Sequence, residues 1–187
     1  VRKVLVLVMV FLLGVTVFAL AGCGNTEEAK KQVKAADAAW ALVYAKITAS
    51  TATLTKIIAP ALSGDVSAIT QNSGTIATAG ETVNVVTDEL KNVEKLYTSL
   101  GDLNIGGYTE YADAMIKAIG EYIGAITVGK ELFNKMLPVV QTGDMAQIQA
   151  VIQQNMQLVN QAQAALGQAE ADYAAAKKIM ADKKLGQ

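Results

Sequence analysis

Residues 145–182 read MAQIQAVIQQNMQLVNQAQAALGQAEADYAAAKKIMAD, and the spacing of their apolar members decides the fold. Met145, Ile148, Ile152, Asn155, Val159, Ala162, Leu166, Ala169, Tyr173, Ala176 and Met180 follow one another at strictly alternating intervals of three and four. A strand repeats every second residue, whereas a seam of period 3.5 belongs to a helix that faces partner helices along its length. Lys183, Lys184 and Gly186 close the segment, where basic groups suit the negative pole of a helix. The spacing predicts a helix over about 144–183.

Moving upstream, Thr142-Gly143-Asp144 reads as a turn, and before it lies a seam of Ala112, Met115, Ile119, Tyr122, Ile126, Gly129, Phe133, Met136 and Val140. Ile116, Ile123, Leu132 and Leu137 widen that stripe, giving a helix over about 108–141 with a kink expected near Pro138. The clearest loop of the chain runs from Ser99 to Thr109, with Gly101, Asp102, Asn104, Gly106 and Gly107. Asp65 caps a further helix over about 65–100, whose seam begins at Val66 and Ile69 and ends at Tyr97 and Leu100. Its spacing slips between Ser73 and Ala79, bracketed by Gly74 and Gly80, which predicts a bend. The first helix covers about 26–60, with Val33, Ala36, Trp40, Val43, Ile47, Ser50, Leu54, Ile57 and Ala61 on its seam, and Pro60 with Gly64 ends it.

Four helices of common period joined by short turns predict an all-α fold: an antiparallel up-down-up-down four-helix bundle with left-handed, coiled-coil-like packing. Ser63-Gly64-Asp65 and Thr142-Gly143-Asp144 punctuate its two hairpins alike, through duplication or through convergent turn chemistry.

At the other end of the chain, Arg2 and Lys3 precede an uncharged run from Val4 to Ala21, and small residues stand before a cysteine. Those are the parts of a secretory signal peptide. Leu20-Ala21-Gly22-Cys23 resembles the lipobox of bacterial lipoproteins, each residue matching its place. The resemblance implies cleavage before Cys23, diacylglycerol (palmitate-like chains) on its thiol and acylation of the new amino group. Two or three acyl chains hold a protein durably on a membrane without any spanning helix. The expected organisation is a signal peptide over 1–22, a lipidated tether over 23–26 and the bundle over 27–187. The expected location is the outer face of the cytoplasmic membrane or, in a two-membrane cell, the outer membrane.

Composition narrows the chemistry. Loss of residues 1–22 removes two of 16 basic residues and none of 17 acidic ones, taking the net charge from −1 to −3, which does not attract nucleic acid. The single cysteine is taken by the anchor, and histidine is absent. A helical di-iron site needs Glu-x-x-His on facing helices, Asp102 with Asn104 is too sparse for calcium, and no metal or other cofactor is expected. Neither Ser-x-x-Lys nor Gly-x-Ser-x-Gly occurs, so no nucleophile is paired with a base. Gly124 to Glu131 departs from a P-loop, with Glu131 where magnesium needs a hydroxyl, and Gly120 with Gly124 reads as a close helix contact.

Two features remain. From Met145 to Ala169 the last helix carries no charge but displays many amides, and Gln153, Gln157 and Gln161 form a candidate surface for a partner protein or a second copy. In the half away from Cys23, Ser50, Thr78, Gly129 and Asn155 fall at similar heights, as a close-packed polar layer or the lining of a cavity; seam Ser and Asn more often set register. The expected function is that of a lipid-anchored binding, scaffold or spacer module of the cell envelope, not an enzyme. The alternative is a small-molecule sensor or carrier, which an enclosed cavity in that layer would favour, whereas a dry, filled layer would favour the scaffold.

Overall fold

The computed structural model describes residues 26–63, 65 and 67–186, so the Leu20–Cys23 motif lies outside the described residues. Among those described the chain is all-α: α1 (Thr26–Leu62), α2 (Ser67–Gln71), α3 (Ser73–Gly101), α4 (Gly106–Thr142), α5 (Met145–Gln154) and α6 (Met156–Asp182). None of these helices is long and apolar enough to cross a membrane.

The α1 seam faces inward as its spacing predicts as far as Ile47, the side chains of Leu54, Ile57 and Ala61 lying outside those described, and the α6 seam does so in part, with Leu166, Tyr173 and Met180 half-buried. Ala29, Val33, Ala36, Trp40, Val43 and Ile47 are buried along α1, and Val159, Ala169 and Ala176 along α6. They meet Val86, Leu90, Val93, Tyr97 and Leu100 of α3 and Met115, Ile119 and Tyr122 of α4. A second cluster gathers Ile69 of α2, Leu132, Met136 and Val140 of α4, Ile148 and Ile152 of α5, and Val159. The two cores are thus stacked along the helices. The backbones of α4 and α6 run closest, then α3 with α4 and α1 with α3, whereas α1 and α6 keep apart.

Two of the predicted helices are interrupted, each at an asparagine. The bend expected between Ser73 and Ala79 falls instead at Asn72 (φ −111°, ψ 21°), between α2 and α3. The segment read as one helix over 144–183 breaks at Asn155, whose backbone sits at φ −106° and ψ 15°. Its side-chain amide donates to the Val151 carbonyl at 2.8 Å, the oxygen its own N–H also uses, and that competition within the last turn ends α5. Asn155 on the seam therefore shapes the backbone.

The turn before each break is built alike. Asp65 accepts from the Ser67 N–H at 3.0 Å, and Asp144 accepts from Ala146 and Gln147 N–H at 3.0 and 3.1 Å. Four residues beyond each aspartate an isoleucine, Ile69 or Ile148, enters the second core. Gly143 takes φ 70°, a left-handed conformation that costs a residue with a Cβ. Substituting Asp144 by Ala is expected to cost about 1 kcal/mol, the worth of an N-cap acceptor, and urea unfolding checks it.

In α4 the buried stripe differs from the one expected. Leu132 is buried as expected, and Tyr111, Ala118 and Ala125, at the same spacing of seven, are buried beside the seam, while Ile116, Ile123, Ile126, Phe133 and Leu137 are only half-buried. The reason is position: α4 has close neighbours on two sides, α3 and α6, and buries a flank towards both. Gly120 and Gly124 are exposed, and a Cβ on either would meet nothing within 4 Å, so they mark no close helix contact.

Candidate functional site: a cavity between two cores

The separation of α1 from α6 has to be filled by side chains, and the two halves of the protein fill it differently. On the side nearer Thr26, large rings do so. Trp40 lies 5.1 Å from Tyr173 of α6, centroid to centroid, 5.5 Å from Tyr44 and 5.4 Å from Tyr122 of α4. Tyr44 lies 5.1 Å from Tyr173, and its hydroxyl donates to Glu170 at 3.0 Å. Burial, reinforced by that carboxylate, pushes the Tyr44 phenol above its usual pKa and keeps it a donor.

One turn further on the tryptophan and tyrosine rings stop and several of the side chains become small. Ser50 and Thr51 follow Ile47 on α1, Ala125 and Gly129 follow Tyr122 on α4, and Ala162 and Gln163 stand where α6 has passed Leu166. The gap left open is a cavity of about 220 Å³. Its walls belong to both cores, with Ile47 and Val86 from the first and Leu132 and Val159 from the second. A Cβ built on Gly129 meets nothing within 4 Å, which is the same space seen from α4.

The lining is apolar inside and neutral at its edge. Thr55, Ala59 and Gln163, on α1 and α6, are exposed and set the mouth on the side where those two helices stand apart. Among the described residues no charged side chain lines the cavity. Most threonines of the region have spent their hydroxyls on the carbonyl one turn back: Thr53 on Ala49, Thr55 on Thr51, Thr78 on Gly74 and Thr82 on Thr78, at 2.8–3.1 Å. Among the described residues no hydrogen bond takes up Ser50 Oγ, Thr51 Oγ1 or the Gln163 amide.

Of the four residues expected to share a layer, Ser50 and Gly129 line the cavity and Thr78 and Asn155 do not. Thr78 is exposed, and Asn155 is engaged at the helix break. Gln153, Gln157 and Gln161 are all exposed. Gly124 to Glu131 lies within the continuous helix α4, which lacks the strand and loop of a phosphate cradle. Among the described residues no three His, Cys, Asp or Glu side chains gather as a metal site would require.

A second polar cluster, on the Thr26 side, has no signature in the residue spacing. Asp37 of α1 accepts hydrogen bonds through one oxygen, Oδ1, from the hydroxyls of Tyr97 on α3 and Tyr111 on α4, each at 2.7 Å. The two rings meet edge-on, 5.9 Å apart at 81°. Burial raises the Asp37 carboxyl above its usual range, more than the two phenols lower it. Burial, with the adjacent carboxylate, also holds Tyr97 and Tyr111 protonated far beyond the usual phenol range. The cluster ties three helices together and lies away from the cavity, so its role is structural.

No protein-family model, curated protein or solved structure matches this chain.

Proposed function

We propose that the protein is a lipid-anchored, extracytoplasmic helical module that binds a small, mostly apolar molecule between its helices. The cavity carries the proposal: a half-open, uncharged hollow between two packed cores, with its mouth between α1 and α6, whose backbones stand apart. A half-open cavity of about 220 Å³ with apolar walls, set between two close-packed cores, is more than a passive rod needs. It puts ligand binding ahead of the scaffold reading.

The architecture that fits is the antiparallel up-down-up-down four-helix bundle. In support, Asp37 meets Tyr97 while Lys46 pairs with Glu89, and Glu110 meets Lys183 while Lys117 meets Asp172, so residue numbers rise along one helix as they fall along its neighbour. Anchoring rests on the Leu20–Cys23 motif, which stands three residues before the first turn of α1 and places the membrane at the Asp37 end. A lipid at Cys23 would then present the cavity to the aqueous side, and the chemistry asked of the protein is holding a ligand, not transforming it.

Native mass spectrometry of the full-length protein, taken from its own cells in lipid nanodiscs, tests both parts. The expected result is a tri- or diacylated chain beginning at Cys23 and carrying a further small molecule that leaves on unfolding. A chain that retains no small molecule and binds none of a set of neutral aromatic probes returns the protein to the scaffold reading. That second reading has one observation of its own, the exposed and uncharged amides Gln153, Gln157 and Gln161, which would meet a partner protein or a second copy at low desolvation cost.

A further inference from the structure

We infer that the occupant of the cavity is an uncharged molecule with an apolar body of one or two rings, or equivalent chain, and a single hydrogen-bonding end. This rests on the ligand-binding reading above and specifies its ligand.

Charge is excluded by the walls. An ion placed inside would lose its hydration, and no lining residue offers it an opposite charge. The body is apolar because the deep wall, formed by Val86, Leu132, Phe133 and Val159, has nothing to offer a polar atom. Its size follows from the volume: an apolar cavity of roughly 150 Å³ takes benzene, and 220 Å³ takes a larger body.

The polar end is fixed by three unspent groups. Ser50 and Thr51 hydroxyls and the Gln163 amide are free of hydrogen bonds to described residues, although the neighbouring Thr55 and Thr82 have satisfied theirs. All three sit on α1 and α6, the two helices that frame the mouth. Together they can donate and accept, which suits a hydroxyl, carbonyl or amide and gives no preference for an ion.

The height of the cavity restricts the source. Ser50 lies about 36 Å along α1 from Thr26, whereas an acyl chain spans only its own leaflet, about 15 Å of the hydrocarbon core. With the anchor at Cys23, a lipid whose tails remain in the membrane cannot reach the site. The ligand therefore arrives through water as a small, sparingly soluble compound.

The test uses full-length protein in phosphatidylcholine nanodiscs and a matched pair of two-ring probes: dansylamide, which is neutral, and dansylate, the corresponding sulfonate, which has the same rings and a negative charge. Trp40, the only tryptophan, lies one to two turns from the cavity and reports either probe by energy transfer. The neutral probe should give a saturable signal, and the sulfonate should bind at least about tenfold more weakly. Gly129→Leu, which grows into open space, should abolish the saturable signal while leaving the melting temperature unchanged or higher. Among competitors, 1-naphthol should displace the probe about threefold or more better than naphthalene, and Ser50→Ala with Gln163→Leu should remove that preference. Equal or tighter binding of the sulfonate, still blocked by Gly129→Leu, would overturn the uncharged class and leave the site standing. No saturable signal from either probe, or one that survives Gly129→Leu, would overturn the site itself.

Discussion

Asp37→Leu is expected to lower the free energy of unfolding by about 2–5 kcal/mol, through two hydroxyls that lose their acceptor at once. Tyr97 is fully buried and Tyr111 is 3% exposed, so neither phenol can turn to bulk water. Each donates to the same Asp37 oxygen at 2.7 Å, and a buried donor left unpaired costs about 1–3 kcal/mol. Leucine fills a similar volume and supplies no acceptor. Asp37→Asn keeps an oxygen in place and should cost only about 1 kcal/mol, so the two variants separate acceptor from charge. Equilibrium unfolding in urea gives both numbers. A leucine variant as stable as the asparagine variant would mean that the phenols are satisfied elsewhere.

The same carboxylate has a pH signature opposite to that of an ordinary paired acid. Its folded pKa is raised, chiefly by burial, so as pH falls the native state takes up the proton before the unfolded chain does. Stability contributed at this site therefore increases as pH falls through the raised value, and levels off below the unfolded pKa of about 3.9. Asp172 behaves in the usual way. Its hydrogen bonds from Lys117 and Gln168 hold its pKa down, so its contribution is present at neutral pH and lost as pH falls through the lowered value. Relative to Asp37→Asn, the parent should gain stability on mild acidification. Acid lability should come from paired carboxylates such as Asp172, at a modest size because its partner Lys117 is open to solvent.

How much of this was legible beforehand follows from what each residue type can signal. The seam of α1 was readable because Val33, Trp40, Val43 and Ile47 at alternating intervals have only one way to leave water together. The buried flank of α4 was not, because Ala118 and Ala125 carry it, and alanine is as common on an exposed helix face as inside one. The Asp37 cluster was invisible for a different reason. An aspartate between Ala36 and Ala38 reads as solvated surface, and only the packing of α3 and α4 against α1 brings Tyr97 and Tyr111 to it.

The cavity was half legible. Ser50 and Gly129 stood out as small residues on otherwise bulky seams, and both line it. Thr78 and Asn155 looked equivalent in spacing, but a hydroxyl or amide within a helix can bond to a carbonyl one turn back. Both do so, which spends their polar atoms locally.

Trp40→Ala is the second large expectation, a loss of about 3–5 kcal/mol. Trp40 is 2% exposed, and its ring touches Tyr44, Tyr122 and Tyr173, so it spans three helices and fills the space that the α1 and α6 backbones leave open. Removing it joins that space to the natural cavity one turn away, and a void of such length cannot be closed by relaxation of one side chain. Trp40→Phe makes the contrast. It keeps a ring among the three tyrosines and removes a buried Nε1–H that has no hydrogen-bond partner among the described residues, so its cost should stay near 1 kcal/mol. Both variants lose the only tryptophan, and far-UV circular dichroism must follow the unfolding. A Trp40→Ala protein no less stable than Trp40→Phe would show that the rings do not hold α1 to α6. The cavity beyond them would then lose the rigid wall on which selective binding of a small ligand depends.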